Sequence, residues 1–280
     1  MSSERERQTS QADSGSRRIA VLTYHSLDRS GSVISIEPEA FAAQMGELAR
    51  LGVRGTSLRE AIAYRSARGS WPAGCAVLTF DDGYANLYEF LPVLQKHGFT
   101  ASVFVVSGHV GGSNDWAPPP ARLGRQRMLS WGELGELAAA GVEIGAHTQR
   151  HADLRRLSVQ ETEDEIVGSR RELEGRLNLT VESFAYPFGR LTRAACAIVG
   201  AHFRAAVTTE LRRAEAEPLY ALPRIDMNYV RSPENLRETV RGERDMYLAV
   251  RRWGRRLAEV VGWGGGSDSA AGFLQPPGKR

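Results

Sequence analysis

The chain has 280 residues, 42% of them hydrophobic and 25% charged, the balance of a soluble globular protein with enough length for one large α/β domain. The net charge of +3 rests on scattered arginines, with Lys96 and Lys279 the only lysines, which argues against the basic stripe of a nucleic-acid binder. No run of 18 apolar residues exists to cross a membrane as a helix, and Cys75 and Cys196 form no CxxC pair, so two buried thiols are a simpler reading than a disulfide or a cysteine-built zinc site.

Residues 1–17 are polar without an apolar period, which predicts a disordered N-terminal tail and no secretory leader. IAVLTY (19–24) reads as a buried strand. PEAFAAQMGELARLG (38–52) spaces its apolar residues by three and four, with Pro38 suited to a first turn and Gly52 to an end. Ser57 with Glu60 opens a helix to about residue 66. CAVLTF (75–80) is a second strand, a helix is expected over 85–97 up to Gly98, and ASVFVV (101–106) is a third strand.

Residues 107–129, rich in Gly, Pro and Asn and carrying Trp116, form a loop long enough to be functional. Ser130 with Glu133 caps a helix to Gly141, VEIGAH (142–147) is a strand, and Ser158 with Glu161 caps a charged helix to about residue 176. SFAYP, AAVTT and YALPRI supply the later strands. Strand and helix alternate, which predicts a parallel sheet. The polar residues of interest, His25, Asp81, Asp82 and His147, follow strands, where α/β barrels place their chemistry.

Asp81 and Asp82 end an apolar strand ahead of Gly83, so one carboxylate can bind a metal while the other faces substrate; Asp-Asp-Gly alone also reads as plain turn chemistry. His147 and His151 stand four apart in HTQRH, a spacing that on a helical turn puts both imidazoles on one face. Two histidines and one aspartate make a three-ligand site with room for water, the arrangement of a catalytic metal. His25 in TYHS reads by itself as a satisfied core histidine, unless the fold brings it to the same mouth.

TFDDGY (79–84), HTQRH (147–151) and AYPFG (185–189), in this order, resemble the first three signature motifs of the polysaccharide deacetylases, carbohydrate esterase family 4, also called the NodB-homology domain. The resemblance covers roughly residues 18–230. It implies a distorted (β/α) barrel over 18–240, Asp81 as general base, and a divalent metal on Asp82, His147 and His151. Zinc is the expected ion, with cobalt, manganese or nickel able to take the same place. Pro187 and Phe188 would wall the substrate groove, the Phe188 backbone N–H would help stabilise the oxyanion, and Tyr186, Gly189 and Trp116 are grouped with them as substrate-binding or supporting residues.

Two positions depart from the usual family pattern. Ala185 stands where many members have an arginine, and no histidine follows His202 to serve as the late catalytic one. TYHS is similar to a circularly permuted subgroup that includes poly-N-acetylglucosamine deacetylases, which implies His25 as general acid. LPRID (222–226) is similar to that subgroup's late arginine motif, which implies Arg224 beside Asp81.

The function implied is N-deacetylation of an N-acetylated glycan or glycan precursor. A relative that cleaves another C–N bond, including cyclic amides, is the second reading, decided by the 107–129 loop. A non-catalytic carbohydrate-binding module is the third, and has no need for both a base and an acid. Beyond residue 240, the segment 246–263 pairs Arg251, Arg252, Arg255 and Arg256 with Leu248, Val250, Trp253, Leu257, Val260 and Val261. It reads either as a terminal helix packed on the barrel with its arginines in water, or as a peripheral contact with an anionic membrane. The tail from about 264, with its GGGSDSAAG run, is expected to be poorly ordered. The expected location is cytoplasmic, at most peripheral to the inner membrane face.

Overall fold

The computed structural model describes residues 15–116 and 122–260. Eight parallel strands carry the fold: β1 (Ala20–Tyr24), β2 (Arg54–Thr56), β3 (Cys75–Phe80), β4 (Ser102–Val105), β5 (Glu143–Ala146), β6 (Ser183–Ala185), β7 (Ala205–Leu211) and β8 (Leu222–Asp226). Strands β3 to β8 lie side by side in chain order, β1 pairs with β8 on one edge and with β3 on the other, and seven strands close a barrel. β2 lies outside this ring, against the first half of β3. The arrangement is the distorted (β/α) barrel expected.

The helices cover the outside: α1 (Pro38–Arg50), α2 (Leu58–Arg68), α3 (Asn86–Glu89), α4 (Leu91–Lys96), α5 (Trp131–Ala139), α6 (Val159–Leu177), α7 (Arg193–His202), α8 (Pro233–Arg241) and α9 (Asp245–Val260). Of the three expected capping boxes, Ser130 with Glu133 on α5 and Ser158 with Glu161 on α6 form; at α2 Ser57 accepts from the Glu60 N–H, but the Glu60 carboxylate turns to Arg54 and Thr56 instead of closing the box. The single helix expected over 85–97 is instead two short ones broken at Phe90, where Pro92 has no N–H to continue the ladder. The three-residue strand β2 and helix α8 were not foreseen.

Residues 15–16 pair antiparallel with residues 71–72, so the last part of the expected disordered tail is tied to the body. Residues 1–14, Val261 and the tail from about 264 lie outside the described residues. Both cysteines are free, as the simpler reading had it, but they are half-buried rather than buried.

Alternate residues of each strand face opposite ways. Ala20, Leu22, Tyr24, Ala76, Leu78 and Phe80 belong to the outer core under the helices, whereas Val21, Val77, Phe104, Ala185 and Val207 belong to a second core inside the barrel. Gly145 makes room there, because a Cβ would fall 2.5 Å from a ring carbon of Phe104. The interior is also polar: buried Glu143 accepts hydrogen bonds from Ser102 and Ser183, at 2.5 and 2.6 Å.

The seam between β1 and β3 brings two distant parts of the chain to one mouth. The strands pair in register from Ala20↔Ala76 to Tyr24↔Phe80, so the next residues, His25 and Asp81, emerge side by side although 56 positions apart in sequence. Phe41 of α1 holds this seam from outside, edge-on to Tyr24 at 5.3 Å and to Phe80 at 5.8 Å. Replacing it leaves a cavity between both strands: Phe41→Ala is expected to lower unfolding stability by about 3–5 kcal/mol in urea denaturation, and a loss under about 1 kcal/mol would contradict this packing.

Candidate active site

At the C-terminal ends of the strands, His25, Asp81, Asp82, His147 and His151 converge. Asp81 is buried and its two oxygens accept from Arg224 Nη1 at 2.7 Å and Nη2 at 2.6 Å. Arg224 itself is buried inside the barrel; its Nε donates to the Thr208 carbonyl at 2.9 Å and its Nη1 also to Thr79 Oγ1 at 3.1 Å. Burial alone would raise the Asp81 pKa, but the guanidinium outweighs it and holds the carboxyl below the usual carboxylate range. His25 Nε2 lies 3.9 Å from Asp81 Oδ2, at the partly open face of the site. Thus β1, β3 and β8 each deliver one member of this group.

Asp82 turns the other way. Its φ of 71° and that of Gly83, 86°, swing the chain out of β3. The turn is pinned where Val106 N–H donates to the Asp82 carbonyl and Leu129 N–H to the Gly83 carbonyl. Asp82 Oδ1 then stands 3.4 Å from His147 Nε2 and 3.4 Å from His151 Nε2.

The route by which the two histidines meet differs from the helical turn expected. His147 ends β5, and residues 148–151 curl back through left-handed backbone at Thr148 (φ 65°) and His151 (φ 56°). Glu165, buried on α6, accepts from the N–H groups of Gln149 and Arg150 at 2.9 and 3.0 Å, while Ser107 and Gly108 donate their N–H groups to the carbonyls of Thr148 and Gln149. Sequence reasoning missed Glu165. Its signal was there: it sits on the inward stripe of α6 with Thr162, Ile166, Ser169 and Leu173, where a charge needs a reason.

These three residues fit a divalent ion. His147 Nδ1 donates to the Ala185 carbonyl at 2.7 Å, which leaves Nε2 with its lone pair toward Asp82. Asp82 Oδ1 is buried without a hydrogen-bond partner, and burial drops His151 to a pKa of about 4, keeping the ring neutral and free to ligate. Ligands at about 2.0–2.1 Å from a tetrahedral ion stand about 3.3–3.4 Å apart, the spacing seen here.

Aromatic rings wall the mouth around His151. Trp116 lies 5.0 Å from its ring on one side and Phe188 4.6 Å on the other. Phe188 reaches this place through a positive φ of 58°. Pro187 is buried beneath it, and Gly189 is required because a Cβ would fall 2.0 Å from Thr209 Oγ1. Tyr186 takes a supporting place: its ring is in the outer core, edge-on to Phe184, and its hydroxyl donates to the Tyr220 carbonyl at 3.0 Å. It supports the strand and does not face the groove.

A divalent ion is expected to raise the thermal midpoint of the wild-type chain and leave that of His147→Ala unmoved. Glu165→Gln keeps all three ligands but loosens their loop, so affinity measured by metal titration should fall by about 10–100-fold. Unchanged affinity in Glu165→Gln would show that the loop holds without it.

The polysaccharide deacetylase family matches residues 68–203. YxkH of Bacillus subtilis (strain 168) is 26% identical over 211 residues, covering 74% of this chain and 71% of the relative. A poly-beta-1,6-N-acetyl-D-glucosamine N-deacetylase of Staphylococcus aureus (strain N315) is 27% identical over 168 residues, 55% of this chain and 54% of the relative, so the chain spans about half the length of that curated protein. Among solved structures, the Streptococcus pyogenes deacetylase PplD in complex with acetate superposes with a TM-score of 0.70 at 26% identity, over 80% of this chain and 98% of that one. IcaB from Ammonifex degensii gives 0.65 at 25% identity, over 81% and 97%. The motifs, the barrel and these likenesses agree: the chain is similar to the polysaccharide deacetylases in sequence and in fold.

Proposed function

We infer that the chain is a metal-dependent hydrolase that removes N-acetyl groups from a glycan built of N-acetylated amino sugars, with β-1,6-linked N-acetylglucosamine the first polymer to test. The linkage comes from the Staphylococcus aureus relative and is a proposal for this chain. The observation that carries the reading is one mouth holding a clamped carboxylate, an imidazole 3.9 Å from it, and a buried Asp-His-His set.

Asp82, His147 and His151 would hold a divalent ion, zinc being a good match to two imidazoles and a carboxylate, and when bound it would supply Lewis-acid polarisation of the acetamide carbonyl and a water of lowered pKa. Asp81 accepts the proton of the attacking water. It is suited to that task because Arg224 keeps it ionised and fixes both its oxygens. The developing oxyanion meets the Phe188 backbone N–H. Water adds to the acetamide carbonyl carbon to give a tetrahedral oxyanion, whose collapse re-forms C=O and breaks the C–N bond, and an unprotonated amine leaves poorly. His25, at the open side of Asp81, delivers the proton to that nitrogen, so acetate and a free sugar amine are released. Phe188 and Trp116 flank the reacting group and give a sugar ring apolar surfaces to lie against.

Asp81→Asn and His25→Ala are both expected to bind the ion as the parent does and to lose about 10²–10⁴-fold in turnover, because each acts on a proton. Amine release from β-1,6- and β-1,4-linked N-acetylglucosamine oligomers, read alongside elemental analysis, checks both. Near-normal turnover by His25→Ala would remove it as the acid, and release from neither oligomer would count against the glycan assignment.

A further inference from the structure

Helix α9 climbs the outside of the barrel with its usual polarity reversed. Asp245, Arg252 and Arg255 turn toward the protein. Asp245 accepts from Arg18 at 3.0 Å and from Arg213 Nη2 at 2.7 Å, Arg252 lies 3.6 Å from Glu210, and Arg255 reaches the Thr209 carbonyl at 3.3 Å. Leu248 is buried between them. The expectation of a terminal helix packed with its arginines in water is therefore overturned for Arg252 and Arg255.

The apolar residues face outward. Met246, Val250, Trp253 and Leu257 are 79%, 62%, 66% and 56% exposed, and their spacing of four, three and four lines them up as one stripe. Scattered exposed hydrophobics are ordinary, but here they are concentrated: with Tyr247, five of the seven large hydrophobic side chains exposed among the described residues lie on this one helix.

We propose that this stripe is a docking surface for an anionic phospholipid bilayer. Charge selects that occupant. Arg256 stands exposed on one edge of the stripe while reaching Glu210 at 3.1 Å, and Arg251 lies beyond the other edge, over the rings of Tyr229 and Tyr247. Two copies of the chain packed stripe to stripe would set arginine edge against arginine edge, whereas acidic headgroups meet both edges with opposite charge. Tryptophan at the centre of an arginine-bordered apolar face suits the headgroup boundary, where such helices lie flat. The surface also borders the barrel mouth: Arg255 binds Thr209, whose hydroxyl donates to the Phe188 carbonyl at 3.2 Å. Lipid docking here stands whether or not that mouth deacetylates glycans.

The test is sedimentation of the full chain with extruded vesicles of phosphatidylcholine alone or mixed equally with phosphatidylglycerol, at low and high salt. The wild type is expected to pellet with the anionic vesicles at low salt and much less with the neutral ones or at high salt. Val250→Ser/Trp253→Ser should weaken that partition by about tenfold or more. Both side chains are exposed, so the circular dichroism and unfolding midpoint of the variant should match the parent. Failure of the wild type to pellet, or equal pelleting by parent and variant, overturns the proposal. So does a concentration-dependent dimer that the double substitution abolishes without any vesicle binding, which would assign the stripe to a second copy.

Discussion

The guanidinium of Arg224 and the carboxylate of Asp81 meet inside the barrel through two parallel hydrogen bonds, with both groups shut off from solvent. Burying two charges costs several kcal/mol each, repaid only when the geometry is good and the remaining donors are satisfied. The geometry is good, and Thr208 and Thr79 take two more of the five guanidinium N–H groups. The pair joins β8 to β3 across the interior. It accounts for Thr79 inside the barrel, as Glu143 accounts for Ser102 and Ser183. It also sets the chemistry: an isolated Asp81 at this depth would favour its neutral form, and Arg224 makes it a fixed anion.

Backbone strain is concentrated at the same end of the barrel. Of the six non-glycine residues with positive φ among the described residues, Asp82, Thr148, His151 and Phe188 belong to the site. Each such conformation costs about 1–2 kcal/mol and persists only where the surroundings over-determine it. They do so here through Glu165, the Ala185 carbonyl, the N–H groups of Val106 and Leu129, and the close approach of Gly189 to Thr209. The ligand atoms of Asp82 and the two histidines are thus positioned by neighbours that bear no ligand themselves.

The seven barrel strands, two of the three capping boxes and the residues that gather at the mouth were legible in the sequence because each leaves a local mark: apolar runs, Ser-x-x-Glu pairs, and motifs such as TFDDGY. The neighbourhood of His25 and Asp81 was legible only through resemblance, because it arises from the β1–β3 register, and pairing between distant strands has no local signal. For the same reason the path of HTQRH was misjudged. A spacing of four is compatible with a helix, and the clamp that makes it a loop comes from Glu165 on another element. The outward-facing stripe of α9 was partly readable as amphipathic. Which face turned inward was not, since it depends on Arg18, Arg213, Glu210 and Thr209, far away in sequence.

The most direct test of the account joins the ion to the reaction. The chain is stripped of metal and titrated with zinc while amine release from an N-acetylglucosamine oligomer is followed. The stripped protein should be inactive, and activity should climb in proportion to zinc and level off when each chain holds one ion. A stripped chain that releases amine as fast as the reconstituted one, or a plateau unrelated to occupancy of the Asp82–His147–His151 set, would contradict it.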